Sequence, residues 1–168
     1  MRVKVASVER YVSHFTHRLD AKGRVSIPAS FRAVLARDGF EGLYVHPSLD
    51  VAALDCGGHR LLAEIHALIA GFPPYSEERD AFALALEGTS EVLKADTEGR
   101  IILTDTLKLS AGITAEVMFV GLGEKFQIWE PGRFHAHLEE AKSRVRDFRK
   151  QLSARHAAET PLRQGARE

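Results

Sequence analysis

Two short stretches carry the residues best suited to chemistry. Asp20-Ala21-Lys22-Gly23-Arg24 and Asp96-Thr97-Glu98-Gly99-Arg100 both read Asp-x-x-Gly-Arg. Asp can bond the backbone just ahead of it and Gly can supply a positive φ, so each stretch predicts a tight turn. An acid and a guanidinium four residues apart then meet at the turn's end. One reading is structural: a carboxylate–guanidinium clip that orders the turn and orients the arginine. The other is functional: the arginine or its neighbours face a phosphate or a guanine edge. The two can both hold.

The elements around the turns repeat as well. Leu93 to Lys108 aligns with His17 to Arg32 without gaps at an offset of 76 residues, with three identities and six conservative matches in 16 positions. Asp20, Gly23 and Arg24 meet Asp96, Gly99 and Arg100; Arg18 meets Lys94 and Arg32 meets Lys108. In each copy an alternating run follows the turn (Val25 and Ile27; Ile101 and Leu103), which predicts a strand. A short helix comes next. Pro28 suits the first helical position of one, and Thr104 can cap the other. Gly39 and Gly112 suit their C-termini, the second about one turn earlier than the first. Shared pattern, turn and helix start point to an internal duplication.

Further strands are expected at Leu43–Val45, Glu116–Val120 and Phe126–Trp129. Arg60–Gly71 is apolar at helical spacing, Phe72-Pro73-Pro74-Tyr75 interrupts it, and a second helix is expected from Ser76 through Leu86. Pro131 opens a final helix through about Leu152, with Phe134, Leu138, Ala141, Val145, Phe148 and Leu152 on one face.

Charge is uneven along the 168 residues. Residues 1–37 hold eight basic and two acidic residues, 38–132 six and sixteen, and 133–168 nine and five, so the whole is formally neutral. A basic start and an acidic middle suggest one face for a polyanion and another for a different contact. The single Cys56 excludes an intrachain disulfide framework and suggests a reducing compartment. No secretory signal and no run of about 20 apolar residues is read. The expectation is a cytoplasmic protein with no membrane contact.

Other constellations carry less. His14 and His17, His59 and His66, and His135 and His137 have neither cysteine partners nor a recognised ligand spacing, so no metal is expected. Cys56 reads as a small buried or interface residue, and Trp129 as core packing. The basic run Arg144, Arg146, Arg149 and Lys150 reads as a solvated helix face. Two aspartates on equivalent loops suggest a protease-like carboxylate pair, but Gly99 falls one residue too late for an Asp-Thr-Gly loop. No enzyme, cofactor or small-molecule substrate is expected.

The two Asp-x-x-Gly-Arg turns, Arg24-Val25-Ser26-Ile27-Pro28, and Phe126-Gln127-Ile128-Trp129 before a terminal helix together resemble the MraZ family, over roughly residues 8 to 150. The resemblance implies an α+β fold of two tandem AbrB-like units (double-split β-α-β, swapped-hairpin barrel) packed as an intrachain pseudo-dimer. The expected division is a first unit at 8–55, a helical connector at 56–88, a second unit at 89–132, a C-terminal helix at 133–156 and a disordered tail at 157–168. It also implies a ring-shaped homo-oligomer. Such a ring binds direct repeats in double-stranded DNA of its own promoter, regulates the division and cell-wall gene cluster, usually by repression, and associates with the nucleoid. By motif position, Asp20, Lys22 and Arg24, with Arg18 beside them, and Asp96 and Arg100 mark the DNA-facing loops. The first loop is net positive and the second, with Glu98 in place of Lys22, net negative, so the first is expected to contribute more phosphate affinity. The alternative is a protein-binding adaptor or antitoxin-like partner that uses the acidic middle and its helices.

Overall fold

The computed structural model describes residues 9–160. They fall into two compact units, one ending at Pro131 and the other beginning at Gly132. The first contains eight strands and four helices, in the order β1 (His14–Arg18), β2 (Arg24–Ser26), α1 (Ala29–Asp38), β3 (Leu43–Pro47), β4 (Leu54–Gly57), α2 (His59–Ala70), α3 (Glu77–Leu86), β5 (Glu91–Leu93), β6 (Arg100–Ile102), α4 (Asp105–Ala111), β7 (Glu116–Gly121) and β8 (Phe126–Trp129). The second is one long helix, α5 (Pro131–Glu159).

The duplication governs the topology. The large sheet runs β1-β7-β8-β4-β3-β5, every neighbouring pair antiparallel. Exchanging β1–β4 for β5–β8 in this order gives the same order reversed. β1 of the first copy pairs with β7 of the second, and β5 of the second pairs with β3 of the first, so the copies interleave and neither closes a sheet alone.

The remaining strands, β2 and β6, form a two-stranded antiparallel ribbon. Its register pairs Arg24 with Ile102, Val25 with Ile101 and Ser26 with Arg100. Val25 and Ile101 are equivalent across the 76-residue repeat, so a local two-fold axis passes between them. Flanking hydrogen bonds obey it: the Ile27 amide donates to Gly99 O and the Leu103 amide to Gly23 O, both at 3.0 Å.

Strand alternation divides the ribbon. Val25 and Ile101 are 2% and 0% exposed and join a core with Ile27, Phe31, Leu35, Leu103, Leu107, Phe119, Phe126 and Ile128. Tyr11 and Phe15 meet Phe31 edge-on, with ring centroids 5.4 and 5.5 Å apart. On β3 the same alternation sends Leu43 and Val45 into this core and Tyr44 into a second cluster with Leu61, Ile65, Ile69 and Leu86 of the α2–α3 pair.

Helix ends follow local chemistry. Gly39 and Gly112 end α1 and α4 in the left-handed conformation, and α4 is three residues the shorter, as the repeat spacing predicts. Thr104 accepts from the Leu107 amide at 3.3 Å and caps α4. Ser76 caps α3, whose first turn carries Glu77, Glu78 and Asp80, where the helix dipole favours acids. Asp38 accepts from the His59 amide and so caps α2 from another element.

Several expectations shift. Pro28 is the N-cap rather than the first helical residue, because its extended ψ of 138° still belongs to the strand exit. Strand β4 was not anticipated: Leu54-Asp55-Cys56-Gly57 lacks the usual β-rich pattern. Its Asp55 is held on the face away from the core by Lys125 Nζ at 3.1 Å and Gln127 Nε2 at 2.7 Å. Helix α5 continues past Leu152 to Glu159, so residues 157–159, expected in the tail, are helical. Thr160 follows the helix, and the remaining residues of the expected tail, 161–168, lie outside the described residues, as does residue 8 at the expected start of the first unit. On α5, Val145, Phe148 and Leu152 are exposed. Among the described residues no helix is long and apolar enough to cross a membrane.

Candidate nucleic-acid interface

Each Asp-x-x-Gly-Arg segment folds into the same turn. The Asp20 amide donates to Arg24 O at 2.9 Å and the Gly23 amide to Asp20 O at 3.0 Å; Asp96, Gly99 and Arg100 repeat both bonds at the same distances. Gly23 and Gly99 have φ of 78° and 75°, a region open to glycine at no steric cost.

The acid organises the turn from within. Asp20 Oδ1 accepts from the Lys22 and Arg24 amides, both at 2.9 Å, and Oδ2 from Arg24 Nε at 2.6 Å. Asp96 does the same for the Glu98 and Arg100 amides at 2.9 Å and Arg100 Nε at 2.8 Å. The Arg24 amide bond is the largest influence holding the Asp20 carboxyl below the ordinary aspartate range; desolvation opposes it, and the Arg24 side-chain bond, the Lys22 amide and the Arg24 charge reinforce it. Asp96 is lowered in the same way, chiefly by the Arg100 amide. The clip is thus a charged, multiply bonded unit that engages each arginine through Nε.

The ribbon sets the two arginines side by side. Val25 and Ile101 point inward, so Arg24, Ser26, Arg100 and Ile102 share the outer face. Arg24 and Arg100 are diagonal neighbours there, at a spacing of about 7–8 Å for such positions. Both side chains are about one-third exposed. The Asp96 hydrogen bond is the largest influence holding the proton on Arg100; desolvation opposes it, and the charges of Asp96, Glu98 and, last, Asp20 of the first turn add to it.

The copies differ in detail. Arg100 Nη2 lies 3.3 Å from Glu98 Oε2, so two carboxylates share this guanidinium. Lys22 stands in the corresponding place of the first turn and is exposed. Arg18 ends β1, opposite Glu116 of β7, and is exposed.

Two cations come from the opposite copy. Arg32 on α1 lies over the second turn: its Nη1 donates to Glu98 O at 3.4 Å, and its Cδ would stand 2.3 Å from a Cβ at Gly99. Its equivalent Lys108 on α4 lies over the first turn, Nζ 3.8 Å from a Cβ at Gly23, and pairs with Asp105 at 3.2 Å. Sequence reasoning gave neither a role. The signal was present, since both equivalent positions are basic, but only the interleaving of the copies brings each to the other's turn.

Cys56 and Trp129 are accounted for by packing. Cys56 is fully buried, and burial pushes its thiol up, away from the thiolate a nucleophile needs. Trp129 is buried, with Nε1 donating to Gln127 Oε1 at 2.9 Å. Among the described residues no group of three or more His, Cys, Asp or Glu could hold a metal ion.

The site is thus a duplicated α+β unit with two acid-clipped, arginine-tipped turns. Comparison with known proteins gives the class. The family model described as MraZ protein matches residues 85–156. The chain is 72% identical over 164 residues to "Transcriptional regulator MraZ" of Methylocella silvestris, covering 96% of this chain and 100% of that protein. It is 68% identical to the protein of the same name from Beijerinckia indica, with the same coverage. The Xanthobacter autotrophicus protein is 61% identical over 92% of this chain and 97% of its own length. The class is therefore that of transcription regulators and not of enzymes. The chain belongs to the MraZ family.

Proposed function

We propose that this chain binds double-stranded DNA through the outer face of the β2–β6 ribbon and its two clipped turns, as a sequence-specific regulator. Arg24, Lys22 and Arg18 in the first copy and Arg100 in the second meet phosphate or base edges, with Asp20 and Asp96 as their positioning acids. The observation that carries this reading is the placement of Arg24 and Arg100 on one ribbon face. A formally neutral protein thereby concentrates guanidinium groups where a phosphate backbone can run.

The finer parts of the proposal follow from the same layout. The palindromic strand order supports two AbrB-like, swapped-hairpin units packed as an intrachain pseudo-dimer, a first at 8–55 and a second at 89–132. Helices α2 and α3, within the expected connector at 56–88, link them, and α5, which outruns the expected 133–156, follows. One chain can neutralise only a few phosphates, each contributing about −0.9 to the salt slope. A ring of several chains on direct repeats raises affinity by avidity without new contacts. The target is its own promoter, ahead of the division and cell-wall gene cluster, the effect is repression, and the protein resides on the nucleoid.

A titration of the full chain with its own upstream promoter fragment, against the same fragment with the direct repeats deleted, tests this. Binding lost with the repeats is expected. Equal binding to both fragments contradicts sequence-specific reading. No binding to either, together with capture of a protein partner, favours the adaptor.

A further inference from the structure

The ribbon face departs from two-fold symmetry at one pair of positions. Arg24 and Arg100 exchange under the repeat, and so do Ser26 and Ile102. The arginines preserve the symmetry, and the second pair breaks it. In register, Arg24 stands directly across from Ile102 and Arg100 directly across from Ser26. One end of the face therefore presents a guanidinium beside a branched apolar side chain, and the other a guanidinium beside a hydroxyl.

Ile102 is 54% exposed, whereas its neighbour Ile101 is fully buried. A single exposed isoleucine needs no explanation by itself. This one lies between charged side chains, on the one face where the other copy has serine, and beside Arg24, which the second copy's acids do not share. An apolar side chain adjoining an arginine matches a defined pattern of base edges. Arginine bonds the acceptors of guanine, and an apolar group packs on the thymine C5-methyl, the one apolar feature of the major groove. Serine can pair with either base and marks no methyl.

We infer that Ile102 is a specificity-determining residue that packs on a thymine C5-methyl in the half of the site contacted by Arg24. The Ile102–Ser26 mismatch then gives each chain a direction on DNA. A perfectly two-fold ribbon would read a palindrome, whereas this face reads two unlike half-sites and lies in one orientation on each repeat. The inference rests on the proposed DNA-binding face and adds the base feature that it reads.

The test uses the full chain and its upstream promoter fragment prepared with thymine or, throughout, with deoxyuridine, which lacks only the methyl. Wild type is expected to bind the uracil fragment more weakly by about three- to fivefold for each chain engaged, the effect of one buried methyl. Ile102→Ser is expected to bind both fragments alike, at about the affinity of wild type for uracil DNA, and Ile102→Val to keep the thymine preference. Because Ile102 is exposed, all three proteins should give the same circular dichroism. Equal uracil sensitivity in wild type and Ile102→Ser, or none in wild type, overturns the inference and leaves the DNA-binding face standing. Failure of wild type to bind thymine DNA overturns the face itself and the inference with it.

Discussion

Arg24 and Arg100 stand diagonally on one face of a two-stranded ribbon, each held through Nε by an aspartate four residues earlier in the chain. They are equivalent by repeat and unequal by environment. Among the described residues Arg24 has one carboxylate partner, Asp20, while Arg100 has Asp96 and Glu98.

That inequality sets the first expectation. Arg24→Ala should weaken binding to the promoter fragment about tenfold or more, on the scale of a lost arginine–base contact, and Arg100→Ala by clearly less. Exposed ion pairs contribute little to folding, so both variants should melt close to wild type. Titration at fixed salt, with a thermal melt of each variant, checks both halves. Equal losses for the two would contradict the asymmetry.

The clips should respond to acid and be indifferent to pH near neutrality. Asp20 and Asp96 are lowered from the ordinary aspartate range. A depressed carboxyl stabilises its turn fully above its unfolded value near 4 and loses that stabilisation as pH falls through the folded value. Amide resonances of Lys22, Arg24, Glu98 and Arg100 should stay constant from pH 8 to about pH 5. They should move together below about pH 4. Movement centred near pH 6 would assign the turns to a different titrating group.

The two turn glycines should not tolerate alanine equally. Both have positive φ, so both substitutions strain the backbone. At Gly99 the new methyl would also meet Arg32 Cδ, Nη1 and Nε at 2.3, 2.6 and 2.8 Å, whereas at Gly23 the nearest atom is Leu103 O at 3.3 Å. Gly99→Ala should therefore displace Arg32 and lower DNA affinity several-fold more than Gly23→Ala. A fluorescence-anisotropy titration of the pair would show it.

Arg32 and Lys108, each reaching the other copy's turn, should behave as phosphate contacts. Alanine at either should weaken binding to any DNA sequence by a similar factor and reduce the salt slope by about 1. A loss confined to the promoter sequence, with the slope unchanged, would make them base readers instead.

Much of this arrangement was legible in the chain. The turns could be read because Asp, Gly and Arg each have a local job there, and the 76-residue repeat because both copies keep the same alternation into the same helix start. Thr104, Gly39 and Gly112 act locally and were read correctly for the same reason. What escaped depends on distant partners. Strand β4 forms because β3 and β8 flank it and Lys125 and Gln127 satisfy Asp55, none of which shows in Leu54-Asp55-Cys56-Gly57 itself. The roughly two turns of α5 beyond Leu152, its last large apolar residue, have no periodic signal to announce them. The roles suggested for Arg32, Lys108 and Ile102 depend on which copy's helix crosses which turn and on the ribbon register, both products of the interleaving.

The most direct measurement is a salt-dependent titration of promoter DNA by wild type and by the Arg24→Ala, Arg100→Ala double variant. The expected result is that the double variant keeps its fold but loses preference for the promoter fragment over a scrambled one, with a shallower salt slope. A folded double variant that binds the promoter with wild-type affinity, preference and slope would contradict the claim that this ribbon face meets DNA.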